Sequence, residues 1–223
     1  MSYRRKFTPP AETREYRKLY VIAVEGDRTE TRYFRFLGSD LDSAIAKIEV
    51  IPPESKSAPQ RVFESLQNYI DNRGVEGTTE LWMVIDRDQW TCEVLDDVVE
   101  KCRKEDVGLC VSNPAFPFWL LLHFEKGQGI EPAETDSGNR SVKECEARLR
   151  DKRYLSGFSK NLTVNHWKVL REKLEIAISN AKELDLPPCQ DYPRQRTGST
   201  VYRLVEKLVE AVSKKITQIN SNG

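Results

Sequence analysis

The chain has 223 residues, of which 39% are hydrophobic, enough to bury one large core or a core domain with a helical extension. Lys and Arg together number 35, and so do Asp and Glu, so the formal net charge is zero and a nucleic-acid partner would have to be held by local basic patches. The sequence contains neither an apolar run long enough for a membrane span nor, at its start, the apolar stretch of a secretory signal, which predicts a cytoplasmic protein without membrane contact.

The predicted elements begin after a basic segment. Residues 1–18 are rich in Arg, Lys and Pro and have no periodic apolar face, so they are expected to form a flexible basic N-terminal arm. From residue 19 onward, short apolar runs alternate with helical patterns. Strands are predicted at 19–24, 47–51, 81–85 and 108–112, and helices from Thr29-Glu30 onward, at 60–70 and at 93–105.

This alternation indicates right-handed crossover units, so the predicted fold class is α/β with a mainly parallel sheet of about four strands. We expect the α/β core over residues 19–125, including a buried helix at 116–124, and a helical extension packed on it over 126–223. The extension is predicted to contain a loop at 127–139, a helix at 141–150, a long helix that follows Asn165 and is ended by Pro187-Pro188, and an amphipathic helix from Ser199 or Thr200.

Two of the predicted strands end in acidic residues. Glu25 follows the first strand, and Asp86 and Asp88 follow the third. The carboxyl ends of parallel strands meet at one edge of the sheet, so these carboxylates are expected to lie close together. Because like charges in one cleft repel, a divalent cation with oxygen ligands is predicted there, Mg²⁺ or Mn²⁺, bound by Glu25, Asp86 and Asp88.

The acids also have simpler interpretations. Asp is common in turns after strands, and Asp27 and Asp40 are interpreted in that way. Glu25 is either a third metal ligand or the base that deprotonates an attacking water. Glu30 lies in the first turn of the following helix, where it either contributes to catalysis or simply complements the helix dipole.

Cysteine and histidine contribute little to the predicted site. The five cysteines form no C-x-x-C pair, and there are only two histidines, which argues against a zinc site and against an imidazole-based triad. The predicted metal is therefore bound by oxygen. His123 lies in the apolar run between Trp119 and Phe124, and all three are expected in the core.

Several motifs in the same order resemble the RloB-like family. They are Glu25-Gly26-x-x-Thr29-Glu30, Asp86-x-Asp88, Ser112-Asn113-Pro114, the run from Phe118 to Phe124, Phe158-Ser159-Lys160, and the stretch from Gly198 to Val205. The resemblance implies a TOPRIM-like core of four strands with a glutamate after the first strand and D-x-D after the third. It also implies a role in bacterial defence against phage, often beside an ATPase. An acid is expected where this chain has Pro117, which would weaken or alter the site.

Basic residues near the acids are candidate phosphate ligands. Arg28 and Arg87 flank the acidic motifs, and Arg194 and Arg196 precede the final helix, whose N-terminus would suit a phosphate. Lys160, which matters chiefly through the family resemblance, would offset charge in a phosphoryl transition state. Each also has a plain interpretation, as a solvated surface charge or, near residue 196, as part of a capping loop.

The function predicted from these residues is a Mg²⁺-dependent nuclease that cuts DNA or RNA. One alternative is a phosphatase with Asp86 as a covalent nucleophile, which would leave Glu25 without a role. Another is a non-catalytic sensor or effector-binding partner of a neighbouring ATPase, which Pro117 favours. The expected partners are a nucleic acid and such an ATPase, and self-association is left open.

Overall fold

Four parallel strands and a short antiparallel one form a single sheet in the protein, for which we analysed a computed structural model. It describes residues 18–41, 46–53, 58–74, 78–133 and 140–221, with side chains described up to residue 211 of the last helix. The strands are β1 (Lys18–Val24), β2 (Ala46–Ile51), β3 (Thr79–Asp86), β4 (Val107–Asn113) and β5 (Gly198–Ser199). The described helices are α1 (Thr29–Asp40), α2 (Pro59–Arg73), α3 (Cys92–Lys104), α4 (Phe116–Leu121), α5 (Arg140–Leu149), α6 (Val164–Arg171), α7 (Leu174–Leu184) and α8 (Val201–Ser221).

The strand order is β2-β1-β3-β4-β5, which confirms the predicted α/β class with a mainly parallel sheet. β1 and β3 are neighbours, with Val24 paired to Val84, so the residues that follow these strands emerge side by side. Among the described helices, none combines the length and apolar character that a membrane span needs.

Both faces of the sheet are covered, which explains why its central strands are apolar almost throughout. Tyr20, Ile22 and Val24 of β1 pack into one cluster with α1, α4 and the helices after α5. Val21 and Ala23 point to the opposite face and pack with α2 and α3. The C-terminal helices therefore share the first of these cores with the strands.

The sheet has a fifth strand that the sequence pattern did not predict. Gly198 and Ser199 pair antiparallel with Asn113 and Ser112, and the two serine hydroxyls lie 2.9 Å apart. Two residues are too few for an alternating apolar pattern, so only the pairing itself reveals this strand.

The long helix predicted after Asn165 is in fact two helices, α6 and α7. α6 begins at Val164, two residues earlier than predicted, because Thr163 accepts a hydrogen bond from the His166 backbone and the His166 ring accepts one from the Thr163 backbone. Glu172 and Lys173 then form a turn, in which Lys173 leaves helical geometry with φ −118° and ψ 13°, although the apolar spacing continues across them.

The bounds of the other predicted strands and helices agree closely with the structure where it describes them. The run 116–124 is buried as predicted, but its helix ends at Leu121 and the last three residues form a turn. Residues 1–17 of the predicted arm and 134–139 of the predicted loop lie outside the described residues, and Lys18 already belongs to β1.

Candidate acidic site at the carboxyl edge of the sheet

Glu25 and Asp86 come together because β1 and β3 are parallel neighbours. The Glu25 backbone N–H donates to the carbonyl of Val84 at 3.0 Å, which continues the ladder past the end of β1. The Glu25 carboxylate then accepts two hydrogen bonds, from the Asp86 backbone N–H at 2.9 Å and from the Trp90 indole at 3.0 Å. The ends of β1 and β3 thus lie side by side, as predicted.

A tight turn after β3 holds Asp86 and Asp88. Oδ1 of Asp86 accepts a hydrogen bond from the Phe116 backbone at 2.7 Å, so the start of α4 fixes this carboxylate. The Asp88 backbone donates to the Pro114 carbonyl at 2.8 Å, and Asp88 has a positive φ of 26°. Asp tolerates such a backbone better than most residues, but the conformation still carries strain.

Glu30 joins the acids from the first turn of α1, where it is only 8% exposed. Its carboxylate lies directly over Gly26: a Cβ at that position would be 2.0 Å from Oε2 of Glu30. Thr31 steadies the same turn by donating its hydroxyl to the Gly26 carbonyl at 2.9 Å. Glu30 is therefore part of the acidic cluster and does not lie on the surface as a capping residue.

The electrostatics of the cluster follow from burying several carboxylates together. Burial raises the pKa of Glu25 to about 7 and that of Glu30 to about 7. Burial, followed by repulsion from Glu30 and then from Glu25, raises the pKa of Asp86 well above its usual value. Since removal from water and like charge both disfavour the ionised forms, the cluster would be stabilised by a cation.

A cleft of about 260 Å³ opens above these acids. Five acids line it, Asp27, Glu30, Asp86, Asp88 and Glu146, together with two cations, Arg28 and Lys160. Glu25 is not among the lining residues, and its carboxylate oxygens are engaged by the Asp86 backbone and the Trp90 indole. Pro117 lies in the cleft wall, at the position where the family resemblance led us to expect an acid.

The loop that carries Lys160 is tied to the start of α1. Thr29 donates its hydroxyl to the Lys160 carbonyl at 2.6 Å, and Lys160 has a positive φ of 61°. Its ammonium lies 3.2 Å from Oε1 of Glu146, which is 8% exposed on α5 and also pairs with Arg150. Lys160 thus reaches the cleft, and its charge favours ionisation of Glu30.

Sequence reasoning did not identify Glu146. The residue precedes Arg150 by four positions on a helix, which is the spacing of an ordinary surface ion pair. Nothing in the sequence indicates that α5 meets the Lys160 loop beside the start of α1, so the role of Glu146 becomes visible only in three dimensions.

The predicted phosphate-binding arginines are not all at the cleft. Arg28 lines it, whereas Arg87 is 5% exposed and points to Cys92, with its Nη2 3.5 Å from the sulfur. Arg194 pairs with Asp96 and stacks on Tyr192, and Arg196 pairs with Asp185. Of the four, only Arg28 lines the cleft, and the other three side chains make contacts within the fold.

Oxygen ligands for a cation are concentrated at this edge, although they do not converge as they stand. Within the described ranges, no group of three or more His, Cys, Asp or Glu side chains is arranged to hold a metal ion. The donors that line the cleft are nonetheless carboxylates, the class that Mg²⁺ and Mn²⁺ prefer.

Comparison with known proteins gives one match. The family model described as RloB-like protein matches residues 20–208, a range that begins within β1 and ends in the first half of α8. The searches of curated proteins and of solved structures returned no significant match.

Proposed function

Since the chain belongs to the RloB-like family, and since its matched region contains the acidic cleft, we propose that the protein is a divalent-metal-dependent nuclease of TOPRIM type. It would hydrolyse phosphodiester bonds of DNA or RNA in the bacterial cytoplasm as part of defence against phage. An ATPase encoded nearby would be its partner.

The observation that carries this proposal is the burial of several carboxylates in one place. Glu25, Glu30 and Asp86 all have raised pKa values, and Asp88 adds a further negative charge beside them. Carboxylates that repel each other are kept together in a protein when they bind a ligand or take part in a reaction. Acids with shifted pKa values in a cleft therefore indicate a functional site. Among the described residues, the ion pairs outside the cleft do not show this crowding of like charge.

The donor chemistry fits Mg²⁺ or Mn²⁺. Asp86 and Asp88, which both line the cleft, would hold the cation through their carboxylate oxygens. When bound, such a cation supplies Lewis acidity at the phosphate to be cleaved.

Other residues at the site would transfer the proton, bind the phosphate and position the acids. Glu30 lines the cleft with a pKa raised to about 7, which suits a base that takes a proton from water near neutral pH. Arg28 and Lys160 bring positive charge to the same cleft and would bind the phosphate oxygens. Glu25, held by the Asp86 and Trp90 N–H groups, keeps the two strand ends in register.

A cleavage assay tests the proposal directly. The protein is incubated with a mixture of labelled single-stranded and duplex DNA and RNA, with Mg²⁺ or Mn²⁺ titrated from zero. We expect metal-dependent cleavage that falls at least about 100-fold in both Glu25→Gln and Asp86→Asn, because each variant removes a charge from the cluster without changing its shape.

The matched control is Asp97→Asn, which changes an exposed acid on α3 that pairs with Lys101. It should cleave like the unchanged protein. Equal cleavage by all four proteins would identify a contaminating nuclease and refute the proposal. Binding of Mn²⁺ by calorimetry gives a second readout, and it should be lost in Asp86→Asn.

A second candidate function follows from Pro117. This residue occupies the cleft wall and offers neither charge nor a side-chain donor. Its presence favours a cleft that binds a cation or an effector without cleaving, as a sensor partner of the ATPase would. Metal binding that depends on Asp86, together with no cleavage of any nucleic acid, would support this candidate over the nuclease.

A further inference from the structure

The first two turns of α1 present a row of arginines to solvent. Arg28, Arg32 and Arg35 are all exposed, and their spacing of four and then three residues places them on one face of the helix. The acid of the same turns, Glu30, is buried on the opposite side. The exposed face is therefore positive over about 10 Å of helix, at 1.5 Å per residue.

The positive charges of Arg28 and Arg32 do not favour the start of α1. The N-terminus of a helix carries partial positive charge, so cations there are unfavourable and acids are the usual choice. Moreover, α1 has no side-chain hydrogen bond at its N-cap. Arg28 and Arg32 therefore depart from the usual preference for acids at a helix start. Such departures concentrate at functional surfaces.

The row of arginines continues into the acidic cleft. Arg28 lines the cleft itself, and Lys160 lies alongside because Thr29 holds its carbonyl. Arg32 donates from Nη1 to the Leu162 carbonyl at 3.0 Å, which joins α1 to the same loop. We call these four residues, Arg28, Arg32, Arg35 and Lys160, the basic ridge.

The charge of the ridge is only partly neutralised. Arg28 lies 3.7 Å from Asp27, but both side chains are about 70% exposed, so water screens the pair and it contributes little. Lys160 pairs with Glu146 while remaining 65% exposed. A polyanion that approaches the ridge would therefore meet guanidinium groups and an ammonium group that are open to solvent.

We propose that the basic ridge binds the phosphate backbone of a nucleic-acid strand and leads it to the acidic cleft. This inference rests on the proposed nuclease function and names the surface that holds its substrate. Guanidinium groups match phosphate oxygens in geometry and charge, and the length of the ridge corresponds to about three phosphates along one strand of a duplex. Its exposed side chains are cationic and not aromatic, so it would contact the backbone without stacking on bases.

The test is a binding measurement without divalent metal. The full chain is titrated, in EDTA, against fluorescently labelled oligonucleotides of unrelated sequence, and anisotropy is followed from 50 to 300 mM KCl. We expect similar affinity for each sequence and, on duplex DNA, a slope of log K against log salt of about −3, as contacts to three phosphates would give.

Two matched double variants locate the surface. Arg28→Glu with Arg35→Glu reverses two ridge charges, while Arg61→Glu with Lys104→Glu reverses two exposed charges on α2 and α3, across the sheet. The ridge variant should lose at least about 10-fold in affinity and about 2 units of salt slope. The α2/α3 variant should stay within about 2-fold of the unchanged protein, and circular dichroism checks that both remain folded.

Equal losses in the two double variants would show that only net charge matters and would overturn the inference. Undetectable binding by the unchanged protein at 50 mM KCl would also overturn it. The nuclease proposal is judged separately, by cleavage in Asp86→Asn. Normal cleavage by the ridge variant would support the nuclease proposal and contradict the ridge. Binding through the ridge by a protein that cleaves no nucleic acid would support the ridge and contradict the nuclease proposal.

Discussion

Gly26 gives Glu30 its place in the acidic cluster. The Glu30 carboxylate occupies the space where any other residue at position 26 would carry its Cβ. Because the backbone of Gly26 does not have a positive φ, the requirement for glycine comes from this close approach and not from conformational freedom. A single missing side chain thus decides whether the first turn of α1 can bring its acid to the end of β1.

The expected result is that Gly26→Ala lowers the free energy of unfolding by about 1 kcal/mol or more, since the new methyl group must displace a buried carboxylate. In a Glu30→Ala background the same change should be nearly neutral. Urea denaturation of the four proteins of this double-mutant cycle measures the difference. Equal destabilisation in both backgrounds would mean that Gly26 does not act through Glu30.

At the scale of elements, the connection between α7 and β5 is organised around one buried acid. Asp185 is 5% exposed and accepts hydrogen bonds from the Cys189 backbone at 2.9 Å, from the Tyr202 hydroxyl at 3.0 Å and from Arg203 at 3.1 Å. Arg196 completes the group as an ion pair. The connection that contains Arg196 is thus held to the start of α8, so this arginine has a structural role.

Replacing Asp185 should therefore be costly. Asp185→Ala leaves Arg196 and Arg203 partly buried without their shared carboxylate, and we expect a loss of about 3 kcal/mol in the free energy of unfolding. Asp151→Ala, which removes an acid paired with the exposed Arg153, should cost much less, because water screens that pair. Chemical denaturation compares the two, and similar losses would contradict the role given to Asp185.

For the molecule as a whole, one core connects the sheet to the C-terminal helices. Tyr33 of α1 contacts the rings of Trp119, His123 and Trp167, so α1, α4, α6 and the segment after α4 meet at one aromatic cluster. His123 is fully buried there. Its Nδ1 donates to the Trp119 carbonyl at 3.1 Å, and its Nε2 is 3.4 Å from the Tyr33 hydroxyl, an arrangement that suits the neutral ring.

This buried histidine gives the stability of the protein a definite pH dependence. Burial lowers the pKa of His123 from 6.5 to about 4, so the unfolded chain takes up this proton first as the pH falls. The contribution of the neutral His123 ring to the free energy of unfolding is complete above pH 6.5. It is lost as the pH falls from 6.5 to 4, by up to about 3 kcal/mol. The cleft acids have raised pKa values, so their protonation stabilises the folded protein as the pH falls, opposite to the effect of His123.

Comparison with His123→Gln isolates the histidine, because both proteins contain the same cleft acids. The free energy of unfolding is measured by urea denaturation from pH 8 to pH 4. The variant is expected to be less stable at pH 8, through lost packing, and to lose less stability on acidification than the unchanged protein. Curves that run parallel over this range would contradict the assignment.

The sequence alone determined the α/β class, the four parallel strands, and the meeting of Glu25 with Asp86 and Asp88 at one edge of the sheet. These features follow from local patterns: apolar runs of strand length, helical spacing between them, and the rule that parallel strands present their carboxyl ends together. Burial of His123 was predictable for the same reason, because its neighbours are apolar.

The tertiary structure alone decided the rest. β5, the break between α6 and α7, the positions of Arg194 and Arg196, and the arrival of Glu146 at the cleft depend on contacts between residues far apart in the chain. No local pattern encodes such contacts, since each is set by how whole elements pack. Likewise, the burial that raises the pKa of Glu30 arises only when α1 closes over the strand end, which makes an ordinary helix-start acid part of the candidate site.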